Sequence, residues 1–317
     1  MLIDGLHHVS AVTADAPANV DFYARVLGLR LVKRTVAQAG PPVYHLFYGD
    51  ELGTPGSLIT FFASPGVPRG RAGAGMVHRI EWRVADAAAL EFWERRLTGE
   101  GLSPSLTVDG TLRFADREGL EHELVVVPDG DGPDPPQIAR HREVPPGHAL
   151  RGMRAVRAFA AEPGAGRDLL EGALGFTPAD GGWRAAGPRQ EGLFLVDDAP
   201  TRRGLRGAGT VHHVAWSAPA DALRPLRGRA AEAGATEVTR LIDRHYFLSV
   251  YFREHHGVLF ELASPDPGFT LDEPPETLGE RLTLPPPVAH LDPAVVAALE
   301  PLPDIRRWRP AESAARG

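Results

Sequence analysis

The chain has 317 residues, 43% of them hydrophobic and 24% charged, an ordinary globular mixture that excludes a disordered chain and fits two domains, or one large one, at roughly 150 residues per domain. It has no cysteine, so disulfides, thiolate metal sites, iron–sulfur clusters and cysteine nucleophiles are excluded, and any metal must be held by His, Asp or Glu. A formal charge of −7 gives no basic footprint for nucleic acid, no stretch approaches the ~20 apolar residues of a membrane span, and residues 1–5 lack the basic start of a signal peptide, so neither nucleic acid nor membrane is expected as a partner and the cytoplasm is the expected location.

In chain order, the first unit opens with a short apolar strand at 6–12. A helix-like stretch follows with Val20, Tyr23, Ala24 and Leu27 at three- and four-residue spacing. Gly28 stands where a helix end favours a left-handed residue, and strand-like runs lead to a last strand, 56–61, that opens at a glycine. The same plan recurs at 77–84 with Leu90, Trp93, Leu97, Gly101 and a last strand at 119–124. After a segment with six prolines between 128 and 146, it recurs at 153–158 with Gly175 and 192–196, and again at 211–216 with Gly234 and 257–262. Proline fixes φ and removes ladder donors, so 129–149 reads as a linker. Beyond Pro265 runs a Pro-rich tail with one short helix expected at 293–299.

The expected fold is therefore α+β: four βαβββ modules paired into two curved mixed sheets. The domains expected are 1–128 (modules 1 and 2), the linker 129–149, 150–264 (modules 3 and 4) and the tail 265–317. Paired βαβββ modules of this kind resemble the vicinal oxygen chelate superfamily, whose members hold a divalent metal inside the sheet. The resemblance covers residues 5 to about 275.

Equivalent module positions can be compared within this one sequence. The third residue of each first strand is His8, Arg79, Ala155 and His213; the fifth of each last strand is Thr60, Glu123, Val196 and Glu261. Only module 4 has both a His and a carboxylate in these columns, so a three-ligand site needs His8 from module 1 beside His213 and Glu261, with modules 1 and 4 sharing a sheet. The metal site is thus expected between the first and last modules. Two imidazoles and one carboxylate with open positions form the facial set of non-heme Fe(II) enzymes that bind oxygen, with zinc as the competitor. Within each His-His pair only one side chain can face the cleft. The superfamily carries its ligand at the second His, which implies His8 and His213 and leaves His7 and His212 on the opposite face unless a bulge turns them. Glu123 has Arg79 as its module partner, which points to an ion pair.

A closer resemblance lies in Leu6-His7-His8, Leu31-Val32-Lys33-Arg34-Thr35, the run 44–56, Asp243-Arg244-His245-Tyr246-Phe247, Tyr251-Phe252-Arg253, Gly257-Val258-Leu259-Phe260-Glu261 and Gly268-Phe269-Thr270-Leu271-Asp272-Glu273. These are similar to the hydroquinone-type ring-cleaving dioxygenases. The resemblance implies Fe(II), sometimes Mn(II), and a small aromatic diol plus O2 as substrates. It also implies Tyr251 near the substrate hydroxyl as a hydrogen-bond donor or proton shuttle, and Arg244 as a charge that stabilises anionic oxygen. His212 and His7 would orient ligands or relay protons. A homo-oligomer is compatible with this reading. The turn Glu254-His255-His256, Leu248 and Ala63-Ser64 depart from the family pattern and are expected to change the pocket lining. Two competing readings on the same fold are a glyoxalase-like isomerase, which uses carboxylates from both paired modules and is disfavoured by Thr60, and a non-enzymatic protein that binds aromatic compounds.

Overall fold

The computed structural model describes residues 3–128 and 134–310; linker residues 129–133 and tail residues 311–317 lie outside the described residues. Module 1 comprises β1 (Leu6–Thr13), α1 (Ala16–Val20) with a π-helical turn at Asp21–Val26, β2 (Arg30–Val36), β3 (Tyr44–Gly49) and β4 (Leu58–Ala63). Module 2 comprises β5 (Met76–Val84), α2 (Ala87–Gly99), β6 (Ser105–Leu106), β7 (Leu112–Ala115) and β8 (Glu121–Val126). Module 3 has β9 (Met153–Ala160), a π-helical turn at Asp168–Ala173, β10 (Thr177–Ala179), β11 (Gly182–Ala186) and β12 (Glu191–Asp198). Module 4 has β13 (Thr210–Ser217), α3 (Leu223–Glu232), β14 (Ile242–Asp243), β15 (Phe247–Arg253) and β16 (Leu259–Pro267).

The helices form for local reasons. The Asp86 carboxylate caps α2 by accepting from the Ala89 amide, and Ala89, Leu90, Trp93 and Leu97 bury one stripe. The indole of Trp93 donates to His148 O at 2.7 Å and so fastens α2 to the linker. The helix-ending glycines all have positive φ, 71° at Gly28 and 77° at Gly101 among them.

Each of the two sheets has eight strands, ordered β14-β15-β16-β13-β1-β4-β3-β2 and β10-β11-β12-β9-β5-β8-β7-β6. Each module's first strand runs parallel to its own last strand and antiparallel to the first strand of a second module. Module 1 therefore pairs with module 4, and module 2 with module 3. The expected halves 1–128 and 150–264 do not own a sheet each; every sheet takes four strands from either half. The crossing is made by two connectors that run side by side, with Gly70 N donating to Ala208 O and Leu205 N to Arg71 O. Their approach is so close that a Cβ on Gly73 would lie 2.3 Å from Gly204 N.

Ladder register corrects one module position. Glu123 and Glu261 each stand two residues beyond the partner of Arg79 or His213, and in module 3 that place belongs to Leu195 rather than Val196, because Ala155 pairs with Leu193. The run of module 3 starts one residue off phase with its glycine. In the second sheet the column residues meet as expected: Arg79 Nη1 lies 2.9 Å from Glu123 Oε2, and Arg113 Nε at 3.1 Å. The linker, where described, is not a free tether. Gln137, His141 and Val144 are buried, and Gln137 Nε2 donates to Pro55 O at 2.7 Å. In the tail the expected helix spans Pro293–Ala297. No helix among the described residues is long and apolar enough to cross a membrane.

Because β1 and β5 find their antiparallel partners only in residues beyond 150, a fragment of residues 1–128 would expose both as open edges. It is expected to lack a cooperative urea transition, while the whole chain unfolds cooperatively; a cooperative fragment transition followed by far-UV circular dichroism would contradict the shared-sheet architecture.

Candidate metal centre

The site is built on the junction of β1 with β13. Two register shifts interrupt that ladder: Leu6 pairs with Trp216 but His8 with Ala215, and Ser10 pairs with His213 but Ala11 with Val211. His7 is thus an extra residue on one strand and His212 an extra residue on the other. A bulge breaks the alternation of side chains, so both histidines turn toward their neighbours instead of lying on the far face. His7 Nδ1 lies 2.9 Å from His8 Nδ1, and His212 Nδ1 lies 2.8 Å from His213 Nδ1.

His8, His213 and Glu261 converge. His8 Nε2 is 3.1 Å from His213 Nε2 and 3.2 Å from Glu261 Oε2, and His213 Nε2 is 2.9 Å from the same oxygen. All three residues are buried, and among the described residues they form the one cluster of His and carboxylate groups close enough to share a metal ion. Glu261 Oε1 accepts from the Ser249 hydroxyl, while Oε2 is buried and makes no hydrogen bond of good geometry. Burial opposes ionisation of Glu261, but His8 and His213, when protonated, outweigh it and hold the carboxyl well below its usual range.

The proton positions follow from the partners. Burial, then the neighbouring His8, lowers the pKa of His7 to about 3, so its ring is neutral. The Ser264 carbonyl, 3.2 Å from His7 Nε2, can only accept, which places the single ring proton on Nε2. His7 Nδ1 is then an acceptor, His8 Nδ1 donates to it, and His8 Nε2 presents a lone pair to Glu261 and His213. His212, lowered to about 3 by burial and by His213, can hold the His213 ring in the same way. A neutral imidazole oriented through its second nitrogen is how protein metal ligands are commonly presented. The orphaned Oε2 and the lone pairs aimed at it fit a divalent cation of the His/His/carboxylate class.

His8, His212 and His213 line a cavity of about 390 Å³ whose walls include Phe47, Phe62, Tyr246 and Phe247. The Phe247 ring packs 5.4 Å from that of His8. Tyr251, paired with Glu261 across β15 and β16, sets its ring edge-on to His213 at 5.5 Å, and the Arg244 guanidinium lies 5.2 Å over the Tyr251 ring. Burial, and next the Glu261 charge, raise the Tyr251 phenol far above its usual pKa. Of the departures from the family pattern, Ser64 alone lines the cavity; the 254–256 turn instead closes on itself, with the Glu254 carboxylate accepting from the amides of His256 and Val258 at 2.9 and 2.8 Å.

Three cavity or ligand contacts escaped the sequence reading. His45 stacks on Phe62 at 4.2 Å and places Nε2 3.0 Å from Thr60 Oγ1, which in turn lies 2.7 Å from Ser10 Oγ. Ser249 anchors Glu261, and Phe247 covers His7 and His8. Strand alternation extended from Tyr251 back through Ser249 to Phe247, and from Phe47 to His45, was the available signal.

Residues 5–262 match the profile of the Glyoxalase/Bleomycin resistance protein/Dioxygenase superfamily. The chain belongs to this superfamily. Within it, the chain is 35% identical over 318 residues to “Putative ring-cleaving dioxygenase MhqA” of Bacillus subtilis (strain 168), covering 95% of this chain and 100% of the relative. It is 32% identical over 302 residues to “Chlorohydroquinone/hydroquinone 1,2-dioxygenase” of Sphingobium indicum, covering 90% and 92%. A crystal structure of a “putative dioxygenase” from Bacillus subtilis, 35% identical, superposes with a TM-score of 0.85 over 95% of this chain and 98% of that one. Superfamily membership and the two sheets agree in the fold.

If His7 orients His8, the change His7→Leu should weaken Mn(II) binding by about 10- to 100-fold while the fold persists. Calorimetric titration beside a thermal melt checks this, and unchanged affinity in a folded variant would remove the orienting role.

Proposed function

We propose that the chain is a metal-dependent dioxygenase that opens the ring of a hydroquinone- or catechol-like diol in the extradiol manner, with the small aromatic and O2 as its substrates. The observation that carries this reading is the convergence of His8 Nε2, His213 Nε2 and Glu261 Oε2, with the two histidines lining an aromatic-walled cavity. The relatives, which include a chlorohydroquinone/hydroquinone 1,2-dioxygenase, support the same reaction class.

Fe(II), with Mn(II) as the alternative, would be held by these three residues, and when bound would supply the Lewis-acid and redox chemistry that lets a diol react with dioxygen. On the fourth side, where a second carboxylate would be needed for a glyoxalase-like isomerase, Thr60 and Ser10 hydrogen-bond to each other. The aromatic walls take a flat ring and keep water from it. Tyr251 keeps its phenolic proton across the physiological range and so donates from Oη to a substrate oxygen lying beside His213, and can pass that proton on as the ring opens. The Arg244 guanidinium, a permanent cation, stabilises the anionic diol oxygen as charge develops on it. His7 and His212 stay neutral and hold the ligand rings.

Anaerobic loading with Fe(II) followed by substituted hydroquinones or catechols should give O2 uptake and a ring-opened acid. His213→Ala should abolish uptake; no uptake with any ring diol, or full uptake by that variant, would end the dioxygenase reading. Tyr251→Phe is expected to lower kcat by about 10²-fold with little change in KM, as loss of a general acid–base group does.

A further inference from the structure

The tail after β16 folds back onto the edge strand β2 and packs behind the cavity wall. Phe269 and Leu278 from the tail join Val32, Phe47, Tyr246 and Phe247 in one buried apolar cluster, and Phe47, Tyr246 and Phe247 belong to the cavity wall. Lys33, fully buried on β2, lies 2.6 Å from Asp272 Oδ1, contacts Glu273, and sits 5.0 Å from the Tyr246 ring centroid. The other oxygen of Asp272 accepts from the Tyr246 hydroxyl at 2.8 Å. The tail main chain is tied down before this contact by Gly268 N donating to Tyr246 O at 2.9 Å, and after it by Arg30 donating to Pro275 O at 2.7 Å and by Thr283 N donating to Arg34 O at 3.0 Å.

We infer that Lys33 and Asp272 are positioning residues for the aromatic substrate: through the tail segment 269–283 they fix Tyr246, and with it Phe247, as the wall against which the ring is held. This rests on the reading of the cavity as the site for an aromatic diol. A buried ammonium needs its carboxylate partners, so Lys33 commits the tail to one docked position, and Asp272 converts that position into a fixed orientation of the Tyr246 hydroxyl. The metal ligands take no part in the chain of contacts Lys33–Asp272–Tyr246. Substrate holding and metal holding are therefore separable.

The test uses the full chain with Lys33→Met, Asp272→Asn and the milder Tyr246→Phe, which keeps the ring and removes the contact to Asp272. In Fe(II)-loaded protein, Asp272→Asn and Tyr246→Phe should raise KM for methylhydroquinone about five- to twentyfold, with metal content unchanged and kcat within about twofold. A second readout needs no turnover: trypsin cleavage after Arg281 should be faster in Lys33→Met and Asp272→Asn than in the wild type, and methylhydroquinone should slow it in the wild type and not in Tyr246→Phe. Protection without O2 uptake would uphold the positioning role while the dioxygenase reading failed. Unchanged KM in active, folded variants, or a parallel loss of metal and kcat with the rise in KM, would overturn the positioning role. So would unaltered cleavage after Arg281 in the Asp272→Asn variant.

Discussion

The antiparallel ladder between β1 and β13 is the constraint from which the site follows. It brings residue 8 within 3.1 Å of residue 213, and its two bulges turn the paired histidines so that each ligand ring is held by its sequence neighbour. A regular ladder would have sent His7 and His212 to the far face and left the Nδ1 atoms of His8 and His213 to other partners. The parallel neighbours β4 and β16 then decide what stands beside the two histidines, Thr60 on one side and Glu261 on the other.

The second sheet repeats this geometry with different chemistry. Its central ladder is bulged at His78 and at Arg154, in the positions of His7 and His212. The ligand columns hold Arg79, Ala155, Glu123 and Leu195, and the carboxylates there are answered by guanidinium groups: Glu123 by Arg79 and Arg113, Glu81 by Arg154 and Arg157. Buried carboxylates need a cationic partner in either sheet. In one sheet the partners are arginines; in the other Glu261 faces the imidazoles of His8 and His213.

Much of this was legible before any coordinates, because the fold is a repeat. Four glycine-punctuated units could be laid over one another, and His8, His213 and Glu261 stood out as the one combination able to form a three-residue set. Pairing of module 1 with module 4 followed from that chemistry, while the division into halves followed from the prolines around 128–146 and did not bear on which modules share a sheet. Bulges could be named only as a condition, since an extra residue leaves no mark in the alternation of polar and apolar positions. Module 3 slipped by one residue because Leu193, Leu195 and Val196 are all apolar and nothing there pins the phase. The role of the tail was illegible for a further reason: the partner that anchors it, Lys33, lies some 240 residues earlier, and a lysine in a strand ordinarily faces water.

Placing the donor atoms at opposite ends of the chain also sets an order in time. At about 5–20 residues per second, a ribosome that has made His8 needs roughly 10–40 s to make the 205 residues that separate it from His213, and Glu261 comes later still. A nascent chain shorter than 261 residues does not contain the three-atom set. The candidate His/His/carboxylate cluster thereby exists only in a polypeptide whose fourth module has been synthesised and paired with the first, so a product truncated before Glu261 lacks part of it.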